Sequence, residues 1–522
     1  MEKDFDLVII GAGPGGYTAA FAAAGHGMKT ALIEKDRVGG TCLIRGCIPT
    51  KTILHTAEQL RGLRDASARG LITGADGAVC DWKALYAEKS AITDNLSDGL
   101  LKALKAAKVE VIFGNAKVIG AHAVEVESEG ATGAHAVKVE SDRTAGAHTL
   151  DVETKNAPGV RAAAAEMGTE NARILTAENI LIAAGSHPVR IPVKGADLPG
   201  VLTSDEFLDN PPESMKSLVI IGGGVIGTEF AEAYSALGVD VTIIEMMPSV
   251  LAVLDSDLSK NAALILKKRG VKIVTGAALS AIEKAPGDAG GLTCFYAKKG
   301  RKPAAEGASE ETALESVTGD VVLLSTGRRS STDGLFADGI VPAMNRGITV
   351  NEHFETSIPG IYAIGDVTGP GAPGGVKLAH TAAAQGRAVA LSLAGETGAP
   401  VDFSAVPSCV YMKPEIASTG LTLDEAKARG IPAAAARGVM HGNARTVIAH
   451  TERSFVKLVY NTETQKLIGA QLMCENASDI ISEYTEAIVK GLTLKDLCAV
   501  IRPHPTFEEA GTDAIFAALS KL

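Results

Sequence analysis

Two stretches of the chain share one pattern of apolar and polar positions. DLVII is followed by the glycine-rich GAGPGG, the alanine-rich YTAAFAAAGHG and then KTALIE; later, SLVII is followed by GGGVIG, TEFAEAYSALG and VDVTIIE. Short apolar runs alternating with helical stretches predict parallel sheets wound by helices. In the first copy Gly11 lies 23 residues before Glu34, and in the second Gly222 lies 23 residues before Glu245. Glycines and an acid at the same offset, twice over, predict two dinucleotide-binding units. Leu7 to Met28 is uncharged and long enough to span a membrane, but its glycines and Pro14 suit a tight turn better than a lipid-facing helix. From about Val406 the pattern changes: FVKLVY and LIGAQLM read as strands and DIISEYTEAIVKG as a helix, which predicts a separate α+β unit beyond a boundary at 395–405. Gly369 to Gly375 reads as a loop inside the core.

Three tandem 13-residue units, AHAVEVESEGATG, AHAVKVESDRTAG and AHTLDVETKNAPG, run from Ala121 to Gly159. Each alternates apolar and polar residues and breaks at Gly or Pro, which predicts strand, turn and strand in a meander. His122, His135 and His148 recur in them without a cysteine or paired ligand spacing, so the expectation is a surface hairpin and no metal site.

Composition narrows the picture. At roughly 150 residues per domain, 522 residues predict three or four domains. A net charge of −11 argues against binding nucleic acid or an anionic membrane surface. The acidic start MEKDFD lacks the basic region of a secretory leader, and seven scattered cysteines are no disulfide framework, so the expected setting is the reducing cytoplasm.

The chemistry lies in three places. In each strand-turn-helix the first glycine permits the turn (Gly11, Gly222), the second lets backbone approach a pyrophosphate (Gly13, Gly224) and the third permits close packing of the helix (Gly16, Gly227). The helix N-terminus then offers unpaired N–H groups to the phosphates, and Glu34 or Glu245 accepts from ribose hydroxyls. An acid at Glu245 suits a free 2′-hydroxyl and repels a 2′-phosphate, which favours NAD over NADP. In GGTCLIRGCIPTK, Cys42 and Cys47 stand five apart; in an ideal helix their Cα atoms would be about 8 to 9 Å apart, beyond the roughly 7 Å a disulfide tolerates. A redox pair therefore requires a distorted turn, for which Gly46 and Pro49 are suited. The alternatives are two buried free thiols or half of a zinc site, though the second ligand pair is missing. Lys51 and the start of a helix would lower a thiolate's pKa. Near the end, RPHPTFEE supplies His504 and Glu509, a spacing at which a carboxylate can orient an imidazole and raise its basicity.

With these motifs in their order, together with IAAGS, VTIIEMMPS, STGRR, IYAIGDVTG, KLAHTAAAQG, PSCVYMKPE and GLTLDEAKARG, the chain resembles the FAD-dependent pyridine nucleotide-disulfide oxidoreductases over nearly its whole length. The resemblance implies an α/β protein with two Rossmann-like domains, for FAD and NAD, plus a C-terminal α+β dimerisation domain. The implied divisions are 1–187 for FAD with the repeats at 121–159 inserted, 188–326 for NAD, a central segment 327–400 completing the FAD site, and 401–522 for dimerisation. The FAD positions it implies are Gly11, Gly13, Gly16, Glu34, Thr41, Lys51, Ala116, Asp366 and Ala379. Those for NAD are Gly222, Gly224, Val225, Ile226, Gly227, Glu245 and Gly327. It also implies that Lys51 pairs with Glu229, that Cys42 is the sulfur attacked by substrate while Cys47 faces the flavin, and that His504 is a base reaching in from the second subunit of a homodimer. The implied activity is oxidation of protein-bound dihydrolipoamide to lipoamide with hydride transfer to NAD+. Its partner would be the lipoylated protein of a 2-oxoacid dehydrogenase complex or the glycine cleavage system. The alternative is an NAD(P)H-dependent reductase of another small, glutathione-like disulfide. Departures from the family pattern include Thr50, Gln385 where an acid is common, Met412 and Lys413, and Arg502, a cation expected beside the base.

Overall fold

Residues 3–75, 77–127, 172–286, 290–298, 314–396 and 401–521 are described by the structure, a computed structural model. The first repeat contributes a strand within these residues, and the hairpin expected of the rest of 121–159 lies outside them.

The first unit opens with β1 (Phe5–Ile10), α1 (Pro14–Gly25), β2 (Thr30–Glu34), α2 (Gly40–Arg45), α3 (Cys47–Ala68), α4 (Trp82–Ala106) and β3 (Glu110–Phe113). β4 (Asn115–Gly120), β5 (Ala123–Glu127) and β6 (Ala172–Ile182) follow. Strands β3, β2, β1 and β6 run parallel in that order, with Leu7 opposite Thr30 on one side and Asn179 on the other. β5 and β4 then continue from β6 as an antiparallel meander. DLVII is apolar without alternation because both faces of β1 are covered: Leu7, Val8 and Ile9 are fully buried.

The second unit repeats this plan. It contains β7 (Ser186–Pro188), β8 (Val201–Thr203), α5 (Ser204–Asp209), β9 (Ser217–Ile221), α6 (Val225–Ala236), β10 (Asp240–Glu245), α7 (Ser256–Lys268) and β11 (Lys272–Thr275). β12 (Ala277–Lys284), β13 (Leu292–Lys298) and β14 (Glu315–Gly319) form a three-stranded antiparallel sheet, and β15 (Val321–Leu324) returns to the parallel one, whose order is β11-β10-β9-β15-β8.

The chain then goes back to the first unit. β16 (Arg328–Ser330) pairs with β7, and β17 (Ile361–Ala363) joins β6 in parallel, Ile361 opposite Ile180. Gly369 to Gly375 is a loop, as expected, leading to α8 (Ala379–Leu393), which crosses α1. The crossing is close because it is made of glycine: a Cβ on Gly386 would stand 2.2 Å from the Gly15 carbonyl oxygen.

The last unit holds β18 (Ser408–Val410), β19 (Glu415–Gly420), α9 (Leu423–Ala428), β20 (Ala433–Val439), α10 (Ala444–Ile448), β21 (Phe455–Asn461), β22 (Leu467–Cys474), α11 (Ala477–Val489), α12 (Leu494–Cys498) and α13 (Glu509–Leu519). Its antiparallel sheet, β18-β19-β22-β21-β20, is covered by α11 and α13. The α/β class with a C-terminal α+β unit is what the periodicity predicts. Among the described residues no helix is long and apolar enough to cross a membrane, and Leu7 to Met28 is a strand, a turn and a twelve-residue helix.

Candidate active site

The two glycine turns are built alike. Gly11 has φ +102° and Gly222 φ +106°, the left-handed region that a side chain would strain. A Cβ on Gly16 would lie 1.8 Å from the Gly11 carbonyl oxygen, and one on Gly227 2.0 Å from that of Gly222. Each acid closes its turn with both carboxylate oxygens. Glu34 accepts from Ala12 N (2.7 Å) and Asp36 N (3.0 Å). Glu245 accepts from Gly223 N and from Met247 N (2.6 Å). Burial pushes the Glu34 carboxyl above its ordinary range, with the two amide donors opposing.

The remaining positions gather around these turns. Val225 and Ile226 open α6, and Gly327 follows β15 with φ +112°. Ala116 lies two residues beyond Gly114, whose N–H donates to the Glu34 carbonyl (2.9 Å). Asp366 sits in the short 3-10 turn Gly365–Val367 and accepts from Ser186 Oγ (2.7 Å). Thr41 lies in α2, where Arg328 Nη2 approaches its hydroxyl at 3.5 Å while Asp205 holds the same guanidinium at 2.8 Å. Ala379 is the first residue of α8, and in the same first turn the Thr381 hydroxyl is buried without a partner. A long helix N-terminus with an orphaned buried hydroxyl beside it is fitted to a polar edge of FAD.

Gln385 explains itself here. Its Oε1 accepts from Gly365 N and its Nε2 donates to the Pro373 carbonyl, both at 2.7 Å. A carboxylate could make the first bond and not the second.

Cys42 and Cys47 belong to different helices. The chain breaks at Gly46 between α2 and α3, and a Cβ there would meet the Thr41 carbonyl oxygen at 2.8 Å and Cys42 Cα at 3.3 Å. This is the distortion that the five-residue spacing requires. Both cysteines are present as thiols in hydrogen-bonded contact. Cys47 is lowered to about 7, chiefly by the hydrogen bond from Cys42, with burial opposing and the Lys51 cation assisting. Cys42 is driven far up, first by giving that hydrogen bond and then by burial. In the reduced pair the charge rests on Cys47, which takes the hydrogen bond from Cys42 and stands one turn before Lys51. Tyr17 borders the pair, its hydroxyl pushed up by burial and then by the two thiols.

Lys51 Nζ lies 2.7 Å from Glu229 Oε2 and 4.5 Å from the centre of the Tyr411 ring. Glu229 is buried on α6, and its Oε1 accepts from Tyr411 N (3.0 Å).

At the other end of the chain, His504 Nδ1 is 2.8 Å from Glu509 Oε1, and Glu509 Oε2 accepts from Thr506 N (2.8 Å). The imidazole is 73% exposed and its Nε2 is free to meet a partner. Glu509 is held below its usual range by the Thr506 amide and then by His504. Arg502 does not sit as a loose cation beside this dyad. Its side chain is 3% exposed and bonded to Glu483, with Thr512 Oγ1 at 3.2 Å. Glu483 also meets Glu508, whose carboxyl that contact pushes up to about 7.

Sequence reasoning missed Ser325, whose Oγ donates to the Gly222 and Ile221 carbonyls at 2.8 and 3.0 Å. It also missed Asp205, which holds Arg328. Ser325 opens the quoted STGRR, but nothing in the sequence points it at the Gly222 turn, and Asp205 belongs to no quoted motif. No group of metal-ligating side chains occurs among the described residues.

The comparisons with known proteins agree with this geometry. The family described as pyridine nucleotide-disulphide oxidoreductase matches residues 5–386, and its dimerisation domain matches 406–515. The chain is 33% identical to a dihydrolipoyl dehydrogenase of Bacillus subtilis (strain 168), over 100% of this chain and 99% of that one. It is 32% identical to the enzyme of the same name from Rhizobium etli, with coverage of 100% and 99%. Among solved structures, a Cu(II) complex of the HOCl-induced flavoprotein disulfide reductase RclA from Escherichia coli superposes with TM-score 0.76 at 26% identity, over 99% of each chain. LpdA from Mycobacterium tuberculosis shares the fold, with TM-score 0.79 at 24% identity over 98% of each chain. With two glycine turns closed by acids, a thiol pair split by a glycine break and a His-Glu dyad on the last unit, this chain belongs to the pyridine nucleotide-disulphide oxidoreductase family.

Proposed function

We propose that the protein is a dihydrolipoyl dehydrogenase, oxidising protein-bound dihydrolipoamide with FAD as resident cofactor and NAD+ as acceptor. The observation that carries this reading is the Cys42–Cys47 pair, in which one thiol is depressed to about 7 and sits beside Lys51 and Glu229. Gly11, Gly13, Gly16, Glu34, Thr41, Lys51, Ala116, Asp366 and Ala379 hold FAD. Gly222, Gly224, Val225, Ile226, Gly227, Glu245 and Gly327 hold NAD. Bound FAD supplies a two-electron carrier between thiol chemistry and the nicotinamide.

The residues divide the remaining work. With the pair oxidised to a disulfide, His504 Nε2 takes the proton of one substrate thiol, while Glu509 on Nδ1 stabilises the imidazolium. The substrate thiolate attacks Cys42 Sγ, the Cys42–Cys47 bond breaks, and Cys47 leaves as thiolate, the better leaving group of the two. The second substrate sulfur then attacks the mixed disulfide: the Cys42–substrate bond breaks, Cys42 takes the proton held by His504, and His504 Nε2 takes the proton of the second thiol, so that closing the substrate's own disulfide leaves Cys42 as thiol, Cys47 as thiolate and one proton on His504. Lys51 balances the charge left on Cys47. His504 acts in a homodimer, from the partner subunit. Seven scattered cysteines and a net charge of −11 support a reducing, cytoplasmic setting for this reading, in which the substrate is the lipoylated protein of a 2-oxoacid dehydrogenase complex or the glycine cleavage system.

The test is dihydrolipoamide-dependent formation of NADH. Cys47→Ser should abolish it, and His504→Gln should lower kcat by about 10²–10⁴, the usual contribution of a general base. A protein that turns over NADPH in preference to NADH and reduces small disulfides, but does not oxidise dihydrolipoamide, belongs with the disulfide reductases instead. The likeness to the Escherichia coli flavoprotein disulfide reductase is what favours that second reading.

A further inference from the structure

Helices α3 and α6 are joined along their length by more than the Lys51–Glu229 pair. Three residues after Glu229, Glu232 is only 4% exposed and takes two guanidiniums. Arg61 of α3 bonds its carboxylate and, at 3.2 Å, its carbonyl oxygen. Arg269, just past the end of α7, reaches both carboxylate oxygens at 2.6 and 2.7 Å and gives its other nitrogen to the Lys413 carbonyl at 2.6 Å. One turn on, Arg64 Nη1 donates to the Ala236 carbonyl at 3.0 Å. Arg61, Glu232, Ala236 and Lys413 border a cavity of about 330 Å³ that also reaches Lys51, Tyr411 and Glu475.

The arrangement has an electrostatic consequence. Glu229 and Glu232 stand at positions i and i+3, neighbours on one face of α6. Two cations are therefore poised one turn from the carboxylate that holds Lys51. With side chains only 17 and 22% exposed, Arg61 and Arg269 do not remain unpaired at tolerable cost. Arg61 has Glu58, which Lys413 holds, and Asp65 on its own helix, and Asp65 also lies close to Arg269; on the facing helix the carboxylate one turn from Glu232 is Glu229.

We propose that Glu232 is a positioning residue of the redox centre: by occupying Arg61 and Arg269 it reserves Glu229 for Lys51, and so sets the charge that Cys47 experiences. The inference rests on the reading of Cys42 and Cys47 as the redox pair. Lys51 favours the Cys47 thiolate and Glu229 opposes it. In Glu232→Gln, Arg61 turns to Glu229, Lys51 is released from it, and the thiolate forms at lower pH.

The experiment measures alkylation of Cys47 against pH in purified holoenzyme carrying Cys42→Ser, with mass spectrometry to assign the modified residue. Glu232→Gln should move the midpoint down by about one pH unit, a tenfold change in the thiolate-to-thiol ratio below the midpoint. Replacing both cations as well, in Glu232→Gln with Arg61→Gln and Arg269→Gln, should return the midpoint to the parent value whatever happens to thermal stability. Were Glu232 only a packing strut, Glu232→Gln would lower Tm and leave the midpoint unchanged or raised, and that result overturns the proposal. A midpoint that the added arginine replacements fail to restore overturns it too. If Glu232→Gln does not retain its fold, the triple variant against Arg61→Gln with Arg269→Gln decides: the two must share one midpoint, since neither holds a stray cation, and a difference overturns the proposal. If the parent protein shows no thiolate at all near neutral pH, the redox-pair reading itself fails, a result distinct from either.

Discussion

The two dinucleotide turns are near copies, yet their surroundings differ in a way that separates a resident cofactor from a visiting one. Both close an acid onto the turn with paired backbone amides, and both use a third glycine for helix packing. Above the first, the chain folds back twice. Gly40 comes so close that a Cβ on it would be 2.6 Å from Gly13 Cα, and α8 lies across α1 with Gly386 against Gly15. Above the second, Gly224 has no atom within 4 Å of where its Cβ would be, and Met246, Met247 and Val253 nearby are 57, 48 and 86% exposed. One turn is roofed by its own chain and the other opens to solvent. Under the proposed function the same motif serves retention in one place and exchange in the other, and what differs is covering chain far away in sequence.

The roof is tested most severely at the helix crossing. Gly386→Ala puts a methyl group 2.2 Å from the Gly15 carbonyl oxygen, in backbone that cannot yield cheaply. Overpacking of this kind costs about 1–3 kcal/mol or more, and we expect a protein purified largely without flavin and with Tm lowered by several degrees. Flavin absorbance at the parent's ratio to protein would show that the roof does not matter for retention.

The acids should part company next. Each is a buried carboxylate with two amide donors, so removing either sacrifices charge-assisted bonds worth about 1.5–3 kcal/mol, or roughly 10- to 100-fold in affinity. Glu34→Ala should lose that factor in FAD retention. Glu245→Ala should keep its flavin and raise KM for NAD+ by a similar factor. Equal flavin loss from both variants would erase the distinction between the units.

What was legible in the sequence followed the same division. Motifs of fixed spacing could be read directly: Gly11 to Glu34, Gly222 to Glu245, Cys42 with Cys47, His504 with Glu509. The Lys51–Glu229 pair came only through the family resemblance, since its members are 178 residues apart. The contacts of the Arg61–Glu232–Arg269 cluster, of Ser325 beneath Gly222 and of the Asp205–Arg328 pair could not be read, although Glu232, Ser325 and Arg328 lie inside quoted motifs, because each joins elements that only the fold brings together. Arg502 was misplaced for a related reason. Adjacency to His504 in the chain suggested adjacency in charge, whereas the backbone turns its guanidinium inward to Glu483 on α11. Gln385 looked like a departure until the structure showed an amide used as donor and acceptor at once.

Only the first unit leads into a thiol pair, which gives it a titration that the second lacks. The Cys47 thiol is lowered from 9.0 to about 7 in the folded, reduced protein. A depressed acid binds fewer protons folded than unfolded between those values, so its contribution to stability is absent below pH 7, grows as pH rises, and is complete above about 9. Reduced protein should therefore gain Tm across that window relative to Cys47→Ser. Parallel Tm profiles for the two would assign the titration to some other group.

The smallest effect should fall on the open turn. Gly224 has φ −72° and ψ −169°, extended backbone open to any residue. Alanine there meets no atom of the protein, and the substitution should change stability by no more than about 1 kcal/mol, with the gain in unfolded-state rigidity offsetting part of any loss. Flavin content should be unchanged. The dinucleotide, however, has to approach the backbone where the methyl group would stand, so KM for NAD+ should rise several-fold at nearly constant kcat. The neighbouring Gly227→Ala places its methyl group 2.0 Å from the Gly222 carbonyl oxygen and should unsettle the turn itself. If Gly224→Ala lowers Tm as much as Gly227→Ala does, the second turn is not open, and the contrast with the roofed first unit fails.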